Sequence, residues 1–234
     1  MTDTDPVGAI LRSAWVVIPA WREAGVVRGV VERLRAICPR VVVVDDGSPD
    51  ETSREALAGG AVVLRHAVNL GQGASLQTGI DFALLEGGEY IFTFDADGQH
   101  DPESLARMAR ILVEHNVDVV LGSRWLGTVE AMPPLRKFVL KAAVVFTRYQ
   151  SGLRLTDTHN GLRLFTRKAA SRIRITQSRM AHASELLDQI GALKLRYAEA
   201  PVKISYSEYS LQKGQKISGL FRVLLDIFYA RWTR

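Results

Sequence analysis

Four consecutive valines, residues 41–44, run straight into Asp45-Asp46-Gly47-Ser48-Pro49. A run that short and that apolar is too brief for a helix. It suits a central strand of a parallel sheet covered on both faces. The residues that stop it are turn formers, and Ser48 or Asp50 is expected to cap a helix over residues 51–58. An earlier apolar run, residues 15–18, halts at Pro19. It gives way to a helix over residues 26–37 with Val27, Val30, Val31 and Leu34 on one face. A weaker strand at residues 61–64 precedes a further segment at 71–85, and another strand opens at Tyr90. Strand and helix in alternation predict an open parallel sheet. Ligands in such sheets sit outside the carboxyl ends of the strands. Residues 19–23, 45–46 and 95–97 are therefore expected around one crevice.

The third of these clusters carries the chemistry. Residues 90–102 read YIFTFDADGQHDP, an apolar strand that ends in Asp95 and Asp97 and turns at Gly98. Residues two apart on a strand point the same way, so both carboxylates can face one point. Two hard oxygen ligands suit Mg²⁺ or Mn²⁺, ions that usually complete their shells with substrate phosphates. A lone Asp-x-Asp is more often an acidic turn; the second aspartate-tipped strand upstream raises the metal reading here. A phosphatase of the haloacid-dehalogenase type also begins with two such aspartates. That reading wants Thr or Val at Gln99 and a later acidic pair, and it leaves residues 41–48 unexplained. An EF-hand needs glycine at the sixth loop position and Glu at the twelfth, where Gly98 falls fourth and Ala106 twelfth. Gly71-Gln72-Gly73 lacks the third glycine of a dinucleotide loop and the lysine of a P-loop.

The chain has 234 residues, 47% hydrophobic and 24% charged, enough for one catalytic domain with a substantial core. Its single cysteine, Cys38, excludes an intrachain disulfide and fits a reducing compartment. The acidic first residues show no secretory signal pattern, and no stretch reaches the ~18–20 apolar residues of a membrane span. Charge is unevenly placed. Residues 1–134 hold 11 Lys and Arg against 19 Asp and Glu, whereas residues 135–179 hold 11 basic residues against Asp157 alone. That excess fits an anionic partner: lipid, phosphate or nucleic acid. Residues 135–149 and 217–232 mix Leu, Val, Phe and Trp with Arg and Lys, as interfacial amphipathic helices do, although core-packing helices explain either one alone. No zinc-finger spacing, RRM signature or heptad-backed basic region supports nucleic acid.

Seven motifs in order, from about Val16 to Pro201, resemble the inverting glycosyltransferases of family 2. They are VIPAWREA, VVVVDDGSPDET, Asn69 with LGQGASLQTGIDFAL, FDADGQHDPE, LGSRW, DTHNGLRLF, and ELL followed by AEAPV. The closest likeness is to the branch that makes polyprenyl- and dolichyl-phosphate sugars. The resemblance implies a single α/β GT-A domain, Rossmann-like, over residues 1–210, with a central mostly parallel sheet flanked by helices. A basic loop and amphipathic C-terminal helix would follow over residues 211–234 and face membrane or partner. It implies a nucleoside-diphosphate sugar donor, a polyprenyl phosphate acceptor and Mg²⁺ or Mn²⁺ as cofactor. Pro19, Ala20 and Glu23 would line base and ribose, with Asp45 or Asp46 reading the base edge and Gly73 and Ala96 beside the donor. Asp95, Asp97 and Gln99 would surround the metal, Arg124 would approach the donor phosphates, and Arg136 with a basic residue near Lys213 would hold the acceptor phosphate. Work at the cytoplasmic face of the plasma membrane, with room for a small membrane-protein partner or a homo-oligomer, is implied too. Trp21-Arg22-Glu23, His159-Asn160 and Ala183 depart from the family pattern.

Acceptor chemistry has a basis of its own. Transfer to a sugar hydroxyl, as in polysaccharide synthesis, needs a general base, because a hydroxyl is a weak nucleophile. The late region offers only Glu185 and Asp188 on a predicted helix. A phosphate monoester, with its second pKa about 6, is mostly ionised near neutrality. A chain rich in arginine and poor in late carboxylates suits a phosphate acceptor, which leaves Glu185 as either base or helix residue. A non-catalytic nucleotide-binding module would keep binding and lose turnover.

Overall fold

The computed structural model describes residues 5–130, 144, 152–158, 160–177 and 181–205. Seven strands form one sheet in the order β3-β2-β1-β4-β6-β5-β7. β1 (Trp15–Ala20), β2 (Arg40–Asp45), β3 (Val62–Arg65) and β4 (Tyr90–Thr93) are mutually parallel. β6 (Arg163–Thr166) runs antiparallel between β4 and β5 (Val119–Glu130), and β7 (Tyr197–Ser205) pairs with β5 in parallel. The sheet is thus mostly parallel, with one reversed strand inside it. The chain winds outward from β1 through β2 to β3, then returns to β4 on the other side of β1. That reversal is the switch point at which ligands enter sheets of this kind.

Val41 to Val44 are all at most 2% exposed, as a strand covered on both faces requires. One face is covered by α1 (Pro6–Ser13), α2 (Val27–Arg35) and α5 (Ser104–His115), which pack Val30, Leu34, Leu105 and Met108 against Val16, Ile18, Phe92 and Phe94. α3 (Thr52–Ala58) packs beside α2. The other face carries α4 (Gln72–Leu85), the short α6 (Arg167–Ala170) and α7 (Ala181–Ala192), with Leu76, Ile80, Leu186 and Ile190 over Val17, Val42 and Ile91. Cys38 is fully buried beyond the end of α2. Its thiol donates to the Ala14 carbonyl at 3.2 Å, and burial pushes its pKa up to about 12.

Two local expectations are corrected. β1 does not halt at Pro19; it continues to Ala20, and Pro19 pairs in register with Val44 of β2. The strand tolerates proline because pairing with β4 has already ended at Val17 and Thr93, apart from a last bond from the Phe94 amide to the Val17 carbonyl (3.0 Å). Pro19 turns its nitrogen to the same side as Val17, two residues earlier, where no strand waits for a donor. Nor does Ser48 cap α3, which begins at Thr52. Its hydroxyl accepts from the Arg22 amide at 2.9 Å, while Asp50 accepts from both the amide and the hydroxyl of Thr52.

Residues 135–149 and 206–234, which hold both amphipathic stretches, Arg136, Lys213 and the expected second segment, lie outside the described residues, Val144 excepted. No helix among the described residues is long and apolar enough to cross a membrane.

Candidate active site

The carboxyl ends of β1, β2 and β4 bring three polar clusters to one edge. At the end of β2, Asp45 is fully buried; its carboxylate accepts from the Ser48 amide at 2.9 Å and from the Ser53 hydroxyl. Asp46 is 3% exposed and takes the His66 ring nitrogen Nδ1 (2.8 Å), the Leu70 amide (2.9 Å) and the Gly71 amide (2.7 Å). Burial pushes the Asp46 carboxyl up, but the Leu70 amide, His66 and the Gly71 amide outweigh it and hold the group below its ordinary value. Both aspartates thus spend their oxygens on fixing the loops that border the crevice. His66 is itself held at its other nitrogen by the Thr78 hydroxyl at 3.0 Å.

At the end of β1, Ala20 and Glu23 are buried, and the Glu23 amide donates to the Thr52 hydroxyl at 2.8 Å. Arg22 takes a left-handed backbone (φ 57°), pinned by Ser48, and its guanidinium lies 4.7 Å from the Trp21 ring.

The end of β4 holds the reactive pair. Asp95 accepts from the Gln72 side chain at 3.2 Å and lies 3.3 Å from Nε2 of His100. Its carboxyl, raised by burial, is brought back below its ordinary value by His100, Arg163 and His182. Arg163 is 3% exposed and stands between Asp95 and Asp157, to both of which it is electrostatically coupled. Asp157 in turn pairs with Nε of Arg124 at 2.6 Å. Cations and carboxylates therefore alternate: Arg124, Asp157, Arg163, Asp95.

Asp97 lies outside that row, where the His100 charge pulls its pKa down only weakly. Burial first, then the Asp95 charge and more weakly Glu23, push it up to about 6, although the Gln99 amide donates to it at 3.0 Å. Ala96 between them is buried. Gln99 contributes backbone here: its amide goes to Asp97, and its carbonyl accepts from the Ser205 amide at 3.0 Å. A cleft of about 420 Å³ opens at Asp97 and Gly98 against the Val26, Gly29 and Arg33 side of α2.

The donor set fits a divalent cation. Two adjacent carboxylates, one of them raised by the other's charge, present negative charge that a cation would neutralise. Among the described residues no group of three or more His, Cys, Asp or Glu is poised to hold a metal.

Gly161 fixes how Asp95 sits. A Cβ at that position would fall inside the van der Waals shell of both Asp95 oxygens. Gly161→Ala is therefore expected to weaken Mn²⁺ binding by about tenfold, the usual scale for disturbing a ligand's support. Titration calorimetry would check this; unchanged affinity would remove Asp95 from the metal site.

Of the remaining expected residues, Arg124 is buried and directed to Asp157. Gly73 lies in the first turn of α4 against the Gln177 carbonyl. Glu185 on α7 faces residues 176 and 177, whose amides it accepts. Sequence reasoning assigned no role to Gln72, His100, Gly161 or Arg163. The signal for Arg163 was present: an arginine inside the apolar run Leu162 to Phe165 has to be paired if buried.

Comparison with known proteins agrees with this geometry. The family model described as glycosyl transferase family 2 matches residues 15–174. A UDP-N-acetylglucosamine–dolichyl-phosphate N-acetylglucosaminyltransferase of Methanococcus voltae is 29% identical over 89% of this chain and 92% of its own length. A polyprenol monophosphomannose synthase of Mycolicibacterium smegmatis is 34% identical over 68% of this chain and 63% of that protein. Among solved structures, glucosyl-3-phosphoglycerate synthase from Mycobacterium tuberculosis, in complex with Mn²⁺, UDP-glucose and phosphoglyceric acid, superposes with a TM-score of 0.68 at 18% identity. That match covers 92% of this chain and 77% of the other, and the shared fold is GT-A.

Proposed function

The chain belongs to glycosyl transferase family 2, and from that premise we propose that it moves a sugar from a nucleoside-diphosphate donor to a polyprenyl phosphate. The observation that carries this is the position of Asp97. It is a half-buried carboxylate whose pKa is raised by desolvation and by the Asp95 charge, at the switch-point crevice of the sheet. Asp95 and Asp97 would hold Mg²⁺ or Mn²⁺, with Gln99 beside them. Such an ion, when bound, would supply positive charge against the departing nucleoside diphosphate.

The chain's own residues do the rest. Pro19, Ala20 and Glu23 wall the nucleotide end of the crevice, and Asp45 and Asp46 keep its rim rigid. Arg163 and His100 hold Asp95 ionised, so that one carboxylate is fixed before substrate arrives. Arg124, which would approach the donor phosphates, is held in place by Asp157, which also offsets its charge. Arg136 and Lys213, outside the described residues, would grip the acceptor phosphate. That acceptor needs positioning and charge screening rather than deprotonation, because it is already mostly ionised near neutrality.

Two named relatives support the acceptor class: both names give a lipid phosphate, while the sugar differs. The Glu185 carboxylate, which a hydroxyl acceptor would need as base, is committed to the amides of Thr176 and Gln177. A polyprenyl tail stays in the bilayer at ~0.8 kcal/mol per buried CH₂. We therefore place the reaction at the cytoplasmic membrane face, reached through the basic stretches at 135–149 and 217–232.

The test supplies UDP- and GDP-sugars with Mn²⁺ and polyprenyl phosphate in anionic vesicles. Sugar should appear on the lipid phosphate, at a rate that falls as ionic strength rises. Transfer confined to sugar hydroxyls, or bare release of phosphate, would reject the proposal. A rate indifferent to salt would reject the basic stretches as the membrane contact.

A further inference from the structure

Residues 174–177 form a strap stapled at every position. The Arg174 amide donates to the Gln189 side chain at 2.8 Å, and Gln189 returns a bond to the Arg174 carbonyl at 2.6 Å. The Arg174 guanidinium pairs with Asp81 at 2.7 Å, and the Ile175 amide donates to Gln77 at 2.7 Å. Glu185 closes the series. One oxygen accepts from the Thr176 hydroxyl, and the carboxylate accepts the amides of Thr176 (3.0 Å) and Gln177 (2.9 Å). Gln77 and Asp81 belong to α4, and Glu185 and Gln189 to α7, so the strap ties those two helices together.

The strap ends against the site. The Gln177 carbonyl lies so close to Gly73 that a Cβ there would collide with it. Gly73 directly follows Gln72, whose side chain donates to Asp95 at 3.2 Å. No side chain caps the start of α4, so its first turn depends on neighbours such as this carbonyl for its placement.

We propose that Glu185 is a positioning residue for the aspartate pair: it clamps residues 176 and 177 over Gly73 and thereby sets Gln72 on Asp95. It is not the base of the reaction. The turnover arm of the test rests on the glycosyltransferase reading, whereas the binding arms do not.

The full-length chain and its variants Glu185→Gln, Glu185→Ala and Gly73→Ala would be compared in three measurements. These are amide hydrogen exchange of residues 174–177, affinity for Mn²⁺ alone and with UDP or GDP, and turnover. Glu185→Ala should speed exchange across the strap about tenfold or more and weaken Mn²⁺ binding by about tenfold, the scale for losing a ligand's support. Glu185→Gln keeps a carbonyl acceptor and should lose no more than about threefold in either. Gly73→Ala should repeat the alanine pattern while leaving the Glu185 carboxylate in place. Loosened exchange with unchanged Mn²⁺ and nucleotide affinity would overturn the positioning role. So would a Gln variant with a tight strap and no turnover, which would restore Glu185 as base. Wild-type protein that binds Mn²⁺ and nucleotide but transfers nothing would reject the proposed reaction and leave the positioning role standing.

Discussion

Asp97→Ala should abolish sugar transfer, by about 10³-fold or more, and yet leave the protein no less stable. The first half follows from where the charge is needed. Removing one group aimed at developing charge typically costs 10²–10³ in rate, and Asp97 would also anchor the cation that serves the leaving diphosphate. The second half follows from the electrostatics of the metal-free protein. Asp97 is raised to about 6 by burial and by Asp95, so its ionised form is held in the folded state at a cost. Alanine removes the desolvated charge and the repulsion together, giving up one hydrogen bond from the Gln99 amide. Initial rates with Mn²⁺ supplied, and thermal unfolding in chelator-treated buffer, would show the two halves. Near-wild-type turnover in the variant would rule out a metal at Asp97, and a large loss of stability would mean that the carboxylate is structural.

The opposite outcome is expected at Asp46. This carboxylate supports two loop amides and the His66 ring from a position 3% exposed. Asp46→Ala leaves those part-buried donors without their acceptor. Losing a part-buried, charge-assisted set of this kind costs roughly 2–3 kcal/mol, a large share of the ~5–15 kcal/mol that holds a domain together. The pH dependence has a definite sign. The Asp46 pKa is lowered on folding, so its contribution is complete above the ordinary carboxylate value of about 4 and is lost as pH falls through the lower folded value. Urea unfolding should show the full deficit of the variant at pH 7 and a shrinking one below about pH 4. A variant within 1 kcal/mol of wild type at pH 7 would show that the loop from His66 to Gly71 is held by other contacts.

The residues that formed the core pattern were legible because burial and chemistry coincide there. Val41 to Val44 declare a buried strand by composition alone, and the aspartates after them declare its end. Pro19 misled for a local reason. Proline stops a strand wherever its nitrogen faces a partner, and only the sheet reveals that none is there. β6 could not be read as reversed, since four residues carry no mark of direction. Arg163 belongs to the same class. Its identity hints at a partner, but Asp95 and Asp157 reach it only through the order in which β4, β6 and β5 assemble. Glu185 stayed open between base and helix residue in the sequence because a carboxylate on a helix says nothing of which amides surround it.

The gap between β1 and β4 has a further meaning. Beyond Val17 the next residue of β1 facing that side is Pro19, which keeps a carbonyl to accept but has no hydrogen to give. The end of the ladder at the head of the sheet is therefore written partly into covalent structure. A ligand bound beyond that point would meet backbone already fixed, so little of its affinity would be spent on ordering it.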